Sequence, residues 1–197
     1  MVKLILVRHG KTLCNEKGAL SGLTDSVLSE VGKLQGEKIA NYLRDEEIDK
    51  IYTTPFTRTR ETIKRLSEIK NIKIEETNKL NEINFGDFEG LSFKEIDEKY
   101  PEEVEKMIKE GFEYKYPNGE SLVDTFVRVK EEIDRIVREN DNSTILICSH
   151  GGTIRNIISY LLCGDYKYHW NFKIDNGSIT EIELNNNFAV INKMNYV

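Results

Sequence analysis

Several things are scarce in this chain of 197 residues. Histidine, cysteine and proline each occur three times, and tryptophan once. Cys14, Cys148 and Cys163 form an odd set without framework spacing, which argues against a disulfide-stapled scaffold and fits reduced thiols in a cytoplasmic protein. Long apolar runs are missing, so no segment approaches a membrane span. The opening "MVKLILVRHG" has one lysine before a short apolar run that stops on a charge; it is badly flanked for a secretory signal and reads as a buried strand. Positive charge is also in deficit: 28 Lys and Arg stand against 34 Asp and Glu, a net charge of −6. No basic stripe is available to neutralise a nucleic-acid backbone, although one small anion could still sit in a locally basic cleft. The acidic excess falls largely on helical stretches such as "EEVEKMIKE" and reads as solvated face. With no internal repeat, low-complexity tract or linker, residues 1–197 are expected to form one domain.

What is present is an alternation of short apolar strands and amphipathic helices. Lys3–Val7 suits a strand buried on both faces. Leu28, Val31, Ile39 and Leu43 predict a helix from Ser29 to about Arg44. "DKIYTTP" predicts a second strand, with Pro55 in the first turn of the helix that follows, and "IKIEET" a third. Ser92 with Glu95, and Ser121 with Asp124, carry capping-box spacing for two more helices. Then come strand "STILICS", helix "TIRNIISYLL" and the pair "SITEIEL" and "FAVINKM", a hairpin joined by an Asn-rich turn. The aromatics, proline and glycine of "FEYKYPNGE" (112–120) predict an ordered loop. The pattern is that of an α/β domain with a mostly parallel central sheet.

Two strands end alike. "LILVRHG" and "TILICSHGG" each run from apolar residues into a histidine, His9 and His150, followed by glycine. Ligands of open α/β sheets bind beyond the carboxyl ends of the strands, so the two imidazoles share one cleft if their strands are neighbours. Arg8 and Arg58 add fixed positive charge suited to a tetrahedral oxyanion. Asn15 and the Ser21-Gly22 pair could add neutral donors.

These parts fit phosphate. A neutral His9 can attack phosphorus and split one displacement into two through a phosphohistidine. Arg8, Arg58 and His150 would stabilise the charge. A departing alkoxide needs a proton, for which Glu82 in "LNEINFGDFEG" is the first candidate and Glu89 the second. Three histidines can bind zinc, but His9, His150 and His169 form no local i,i+4 pair and no HExxH motif occurs, so no metal is expected.

"LVRHGKT" with Asn15, "TPFTRTRET", "LNEINFGDFEG", "PNGES" and "SHGGTIR" resemble, in that order, the histidine phosphatase superfamily, also called phosphoglycerate-mutase-like, over about residues 3–184. The resemblance implies a three-layer sandwich with flanking helices and a lid-like helical and loop insertion at about 86–121. It implies His9 as the phosphorylated nucleophile, a phosphate pocket of Arg8, Arg58 and His150 lined by Asn15, Ser21, Gly22 and the Gly151 N–H, and Glu82 as proton donor. It implies no metal or organic cofactor and a small-molecule phosphomonoester substrate.

The departures are informative. Thr53-Thr54 replaces the usual serine pair before Pro55, and Lys11 makes the pocket mouth more basic. Ile83-Asn84-Phe85 stands where the cofactor-dependent mutases carry an arginine-histidine-tyrosine stretch, which favours hydrolysis over phosphoglycerate mutase activity. "FGDFEGLSFKEIDEKYP" followed by "YPNGESL" looks like the bacterial α-ribazole-phosphate phosphatases of cobalamin synthesis, and broad-specificity phosphatases look similar. Phe112, Tyr114 and Tyr116 could stack on a planar leaving group or simply pack their loop. A phospholigand-binding module without catalysis is the reading from a different class.

Overall fold

Alternation along the first strand, β1 (Val2–Arg8), decides the layering. Leu4 and Leu6 join one apolar cluster and Ile5 and Val7 the other, and all four are buried. A strand buried on both faces needs cover on both. The computed structural model describes residues 1–185 and 188–196 and provides that cover. A six-stranded sheet is made of β1, β2 (Lys50–Thr53), β3 (Ile74–Glu76), β4 (Thr144–Ser149), β5 (Ile179–Asn185) and β6 (Phe188–Tyr196), in the order β3-β2-β4-β1-β5-β6. The first four strands of that order run parallel; β5 is antiparallel to β1, and β6 to β5. The final pair is therefore the expected hairpin, although part of its Asn-rich turn, 186–187, lies outside the described residues.

Helices α2 (Glu30–Tyr42) and α3 (Thr57–Lys70) cover one face of the sheet through Ile39, Ala40, Ile63 and Leu66. Helices α6 (Leu122–Glu139) and α7 (Gly151–Cys163) cover the other through Val129, Ile133, Ile154 and Ile157. This is the expected three-layer arrangement. The short α1 (Leu13–Glu16) follows β1, and α4 (Phe93–Lys99) and α5 (Pro101–Glu110) lie within the 86–121 segment. Both expected capping boxes form: Ser92 with Glu95 starts α4, and Ser121 with Asp124 starts α6.

Two local expectations change. Pro55 precedes the N-cap of α3, Phe56, instead of entering its first turn. In α2, Val31 is 49% exposed, and Gly32, Gly36, Ile39 and Ala40 form the buried face. The reason is backbone contact: a Cβ on Gly32 would lie 2.1 Å from the Lys11 carbonyl oxygen, and one on Gly10 2.5 Å from that of Gly32. Hydrophobic periodicity does not register a face built from glycine. That face pins the loop following β1.

Candidate active site

The register of β1 against β4 pairs Arg8 with Ser149, so His9 and His150 follow at the carboxyl ends of adjacent strands. Their ring centroids are 5.3 Å apart at 65°. The loop carrying His9 is held on both sides: the Gly10 N–H donates to Thr62 Oγ1 (2.9 Å) on α3, and the Lys11 N–H to Gln35 Oε1 (2.8 Å) on α2.

The two imidazoles are wired differently. His9 Nδ1 lies 2.8 Å from the Gly10 carbonyl oxygen. A carbonyl only accepts, so Nδ1 carries the proton and Nε2 keeps its lone pair. Burial, with the charges of Arg8 and Arg58, holds His9 well below its usual pKa and therefore neutral. His150 is completely buried, and both of its nitrogens are engaged. Its Nδ1 accepts from Arg58 Nε (3.2 Å), which leaves Nε2–H to donate to Thr54 Oγ1 (3.1 Å). The Thr54 hydroxyl continues to Thr59 Oγ1 (2.8 Å), whose own proton goes to the carbonyl of Thr54 or Phe56. Burial first, then the Arg58 charge, keeps His150 well below its usual pKa as well.

In front of His9 lies a cavity of about 640 Å³. Arg8, His9, Asn15, Ser21, Glu82 and Gly151 all line it. The Arg8 Nη1 group donates to the Ile174 carbonyl (2.6 Å), while its buried Nε has no protein partner. An unsatisfied buried guanidinium donor beside a nucleophile marks a place for an anion. The Asn15 carbonyl accepts from the Thr12 N–H and from Asn176 Nδ2, both at 3.1 Å, which turns its amide nitrogen toward a ligand. Gly151 opens α7, so its N–H and the helix N-terminus face the same point.

Glu82 lines the same cavity. Its carboxylate accepts from the Gly152 N–H (2.9 Å) and its own neighbour Ile83 N–H (3.1 Å). A Cβ on Gly152 would stand 2.4 Å from Glu82 Oε1, so this approach requires glycine.

Three expected pocket residues, Arg58, His150 and Gly22, stand behind the cavity wall. Arg58 is fully buried; Nη1 donates to the Thr24 carbonyl (2.8 Å) and Nη2 to that of Gly22 (2.6 Å), so with its bond to His150 the guanidinium braces the 21–25 loop. Its charge still bears on His9. The Gly22 N–H, expected to face phosphate, donates to Glu89 instead. The Glu89 carboxylate accepts from the backbone N–H groups of Gly22, Leu23, Thr24 and Phe85 at 2.9 to 3.1 Å. Glu89, the second proton-donor candidate, is therefore a loop anchor away from the cavity.

Phe112, Tyr114 and Tyr116 line the cavity and also pack against neighbours, so the segment 86–121 supplies one of its walls. His169 bonds Asn156 through Nδ1 (2.7 Å). Among the described residues, no group of three or more His, Cys, Asp or Glu side chains could hold a metal ion. Nor is any described helix long and apolar enough to cross a membrane.

Arg128 is a supporting residue the sequence did not reveal. From α6 it donates to the carbonyls of Asn81 (2.8 Å) and Glu82 (2.9 Å) and pairs with Glu120 (2.9 Å), fixing the loop that aims Glu82. The two carbonyls it holds lie 46 and 47 residues away, and no local signal marks it.

Strand-end histidines in a mixed α/β sandwich, with an arginine and a helix N-terminus at one anion seat, define a phosphate-ester enzyme class, and the sequence relationships agree. Residues 4–197 match the histidine phosphatase superfamily (branch 1), and the chain belongs to that family. It is 35% identical to phosphoserine phosphatase 1 of Hydrogenobacter thermophilus over 195 residues, 99% of this chain and 92% of that protein. The structure of the α-ribazole phosphatase from Shigella flexneri superposes with a TM-score of 0.93 at 26% identity, covering 98% of this chain and 96% of the other. The phosphoserine phosphatase from Entamoeba histolytica, in complex with 3-phosphoglyceric acid, does so with a TM-score of 0.86 at 26% identity, covering 100% and 98%.

Proposed function

We propose that this phosphatase hydrolyses small phosphomonoesters through a phosphohistidine on His9, with Glu82 as the general acid and without a metal ion. The observation that carries this reading is the His9 tautomer. Its proton is held on Nδ1 by the Gly10 carbonyl, and its Nε2 lone pair is left for a cavity that Arg8, whose buried Nε has no protein partner, also lines.

In the first step Nε2 attacks phosphorus while the ester P–O bond breaks, and Glu82 gives its proton to the leaving oxygen. In the second step the Glu82 carboxylate takes a proton from water, the water oxygen bonds phosphorus, and the P–N bond breaks. Inorganic phosphate leaves and Glu82 is protonated again. Arg8, the Asn15 amide and the Gly151 N–H bind the equatorial oxygens, and the buried Arg58 charge acts through short distance behind them.

Acid quench with a 32P-labelled ester should trap an acid-labile, base-stable phosphoenzyme, and His9→Ala should trap none. Turnover surviving in His9→Ala would sink the mechanism. Glu82→Gln should lower kcat about 10²–10⁴-fold for alkyl phosphates and far less for p-nitrophenyl phosphate, whose leaving group departs without a proton. An equal loss for both ester classes would remove Glu82 from that role.

Two substrate assignments have support from relatives. The α-ribazole phosphatase superposition supports a nucleoside-like ester, which the aromatic cavity wall could accommodate. The 35% identical relative supports a phosphorylated hydroxy acid. Rates of phosphate release from both esters decide between them, and a flat profile across a wider panel would mean broad specificity.

A further inference from the structure

Beyond the phosphate seat, the cavity wall contains a second polar pole that the chemistry above does not use. Arg155 and Asn156 lie on α7, about one turn past Gly151, which at 1.5 Å per residue is a distance of about 6 Å along the helix. His169 and Trp170 face them from the segment after α7, and all four line the cavity.

The pole is built and incompletely satisfied. Asn156 is 99% buried, with 1% exposure, and its carbonyl accepts from His169 Nδ1 (2.7 Å). Its amide nitrogen is buried with no partner. An unmet buried donor is destabilising, so such groups are normally paired. Arg155 is held by its stem: Nε donates to the Phe172 carbonyl (2.9 Å), and the guanidinium lies over the Trp170 ring at 5.3 Å. Those contacts fix the planar head and leave its two Nη groups for a ligand. Burial, together with the Arg155 charge, pushes His169 down to about 3, so the imidazole is neutral and Arg155 is the cation of this pole.

One cation and one amide donor, a helical turn from a phosphate seat, match a single planar anion on the leaving group. Resting on the phosphomonoesterase reading, we propose that Arg155 and Asn156 form a subsite for the carboxylate of a short phosphorylated hydroxy acid. A guanidinium edge matches a carboxylate bidentately, and the Asn156 amide supplies a further bond to the same group. A neutral nucleoside leaving group would leave both unpaired.

The test compares O-phospho-L-serine with O-phosphoethanolamine, which differ by that carboxylate. In wild-type protein, kcat/KM should favour phosphoserine, and Arg155→Met should reduce the ratio of the two values about 10- to 100-fold. Asn156→Asp, which places a like charge against the ligand in nearly the same volume, should reduce it as well. An equal fall on both esters would assign the residues to structure and overturn the subsite. Calorimetric titration of His9→Ala and of His9→Ala with Arg155→Met provides a readout independent of turnover. Phosphoserine should bind about 10-fold or more tighter than phosphoethanolamine to the first protein and with no such advantage to the second. Equal affinities for the first protein overturn the subsite. Wild-type protein that turns over neither ester yet hydrolyses p-nitrophenyl phosphate would overturn the subsite; wild-type protein inert on all three would overturn the catalytic reading and leave the titration to decide this one.

Discussion

β1 and β4 end in the same way, with an apolar run, a histidine and a glycine, yet their histidines perform opposite tasks in the structure. His9 spends one nitrogen on the carbonyl of the next residue and keeps the other open to the cavity. His150 has both nitrogens engaged, between Arg58 on one side and the Thr54–Thr59 hydroxyl pair on the other. A local sequence pattern therefore specifies where an imidazole will stand, whereas its chemistry is decided by which nitrogens its partners occupy: an adjacent carbonyl for His9, distant side chains for His150. Thr54 and Arg58 lie 96 and 92 residues from His150.

The largest expected effect comes from exchanging each histidine for asparagine. His9→Asn should abolish turnover, a loss on the order of 10⁴-fold or more, because the nucleophile is gone. His150→Asn keeps an acceptor for Arg58 near the Nδ1 position and should cost only about 10- to 100-fold. Steady-state kinetics that show equal losses would erase the distinction between the two.

A smaller effect should follow from Thr54→Val, which keeps the side-chain shape but removes the hydroxyl that accepts from His150. Leaving that N–H buried without a partner should cost about 1–3 kcal/mol in urea denaturation, and Thr54→Ser should restore it. Stability unchanged in Thr54→Val would break the proposed proton order.

The smallest effect is linked to pH. Burial lowers His9 and His150 well below the ordinary value of 6.5, so each takes up a proton on unfolding in acid that it does not hold when folded. Their contribution to stability is complete above pH 6.5 and is lost as pH falls below it, by about 1.4 kcal/mol per unit for each histidine. The stability difference between wild type and His150→Asn should narrow by that amount per unit from pH 6 to 5. A constant difference would mean that His150 is protonated in the folded protein.

The fold was legible wherever its determinants were local. Capping-box spacings placed two helix starts, β-branched runs placed the strands, and the repeated His-Gly ending located the cleft. The buried face of α2 was not legible, because Gly32 and Gly36 pack by backbone and carry no apolar signal. At the site, His9, Arg8, Asn15, Ser21, Glu82 and Gly151 converge on one cavity as their motifs suggested. The ranks of Arg58, His150 and Gly22 were not legible, since each is set by partners from other loops. Arg128 and Asn156 gave no signal, and His169 stood out only as a third histidine without ligand spacing, because a buried polar pair resembles any surface pair until folding joins it.

The Glu89 carboxylate has a consequence for how the enzyme would release its product. The N–H groups of Gly22, Leu23 and Thr24 form a cup of the sort that captures oxyanions, only a loop away from the nucleophile. With a tethered carboxylate already seated there, that decoy berth is closed to inorganic phosphate. The chain itself plays the part of a permanent competitor at that cup.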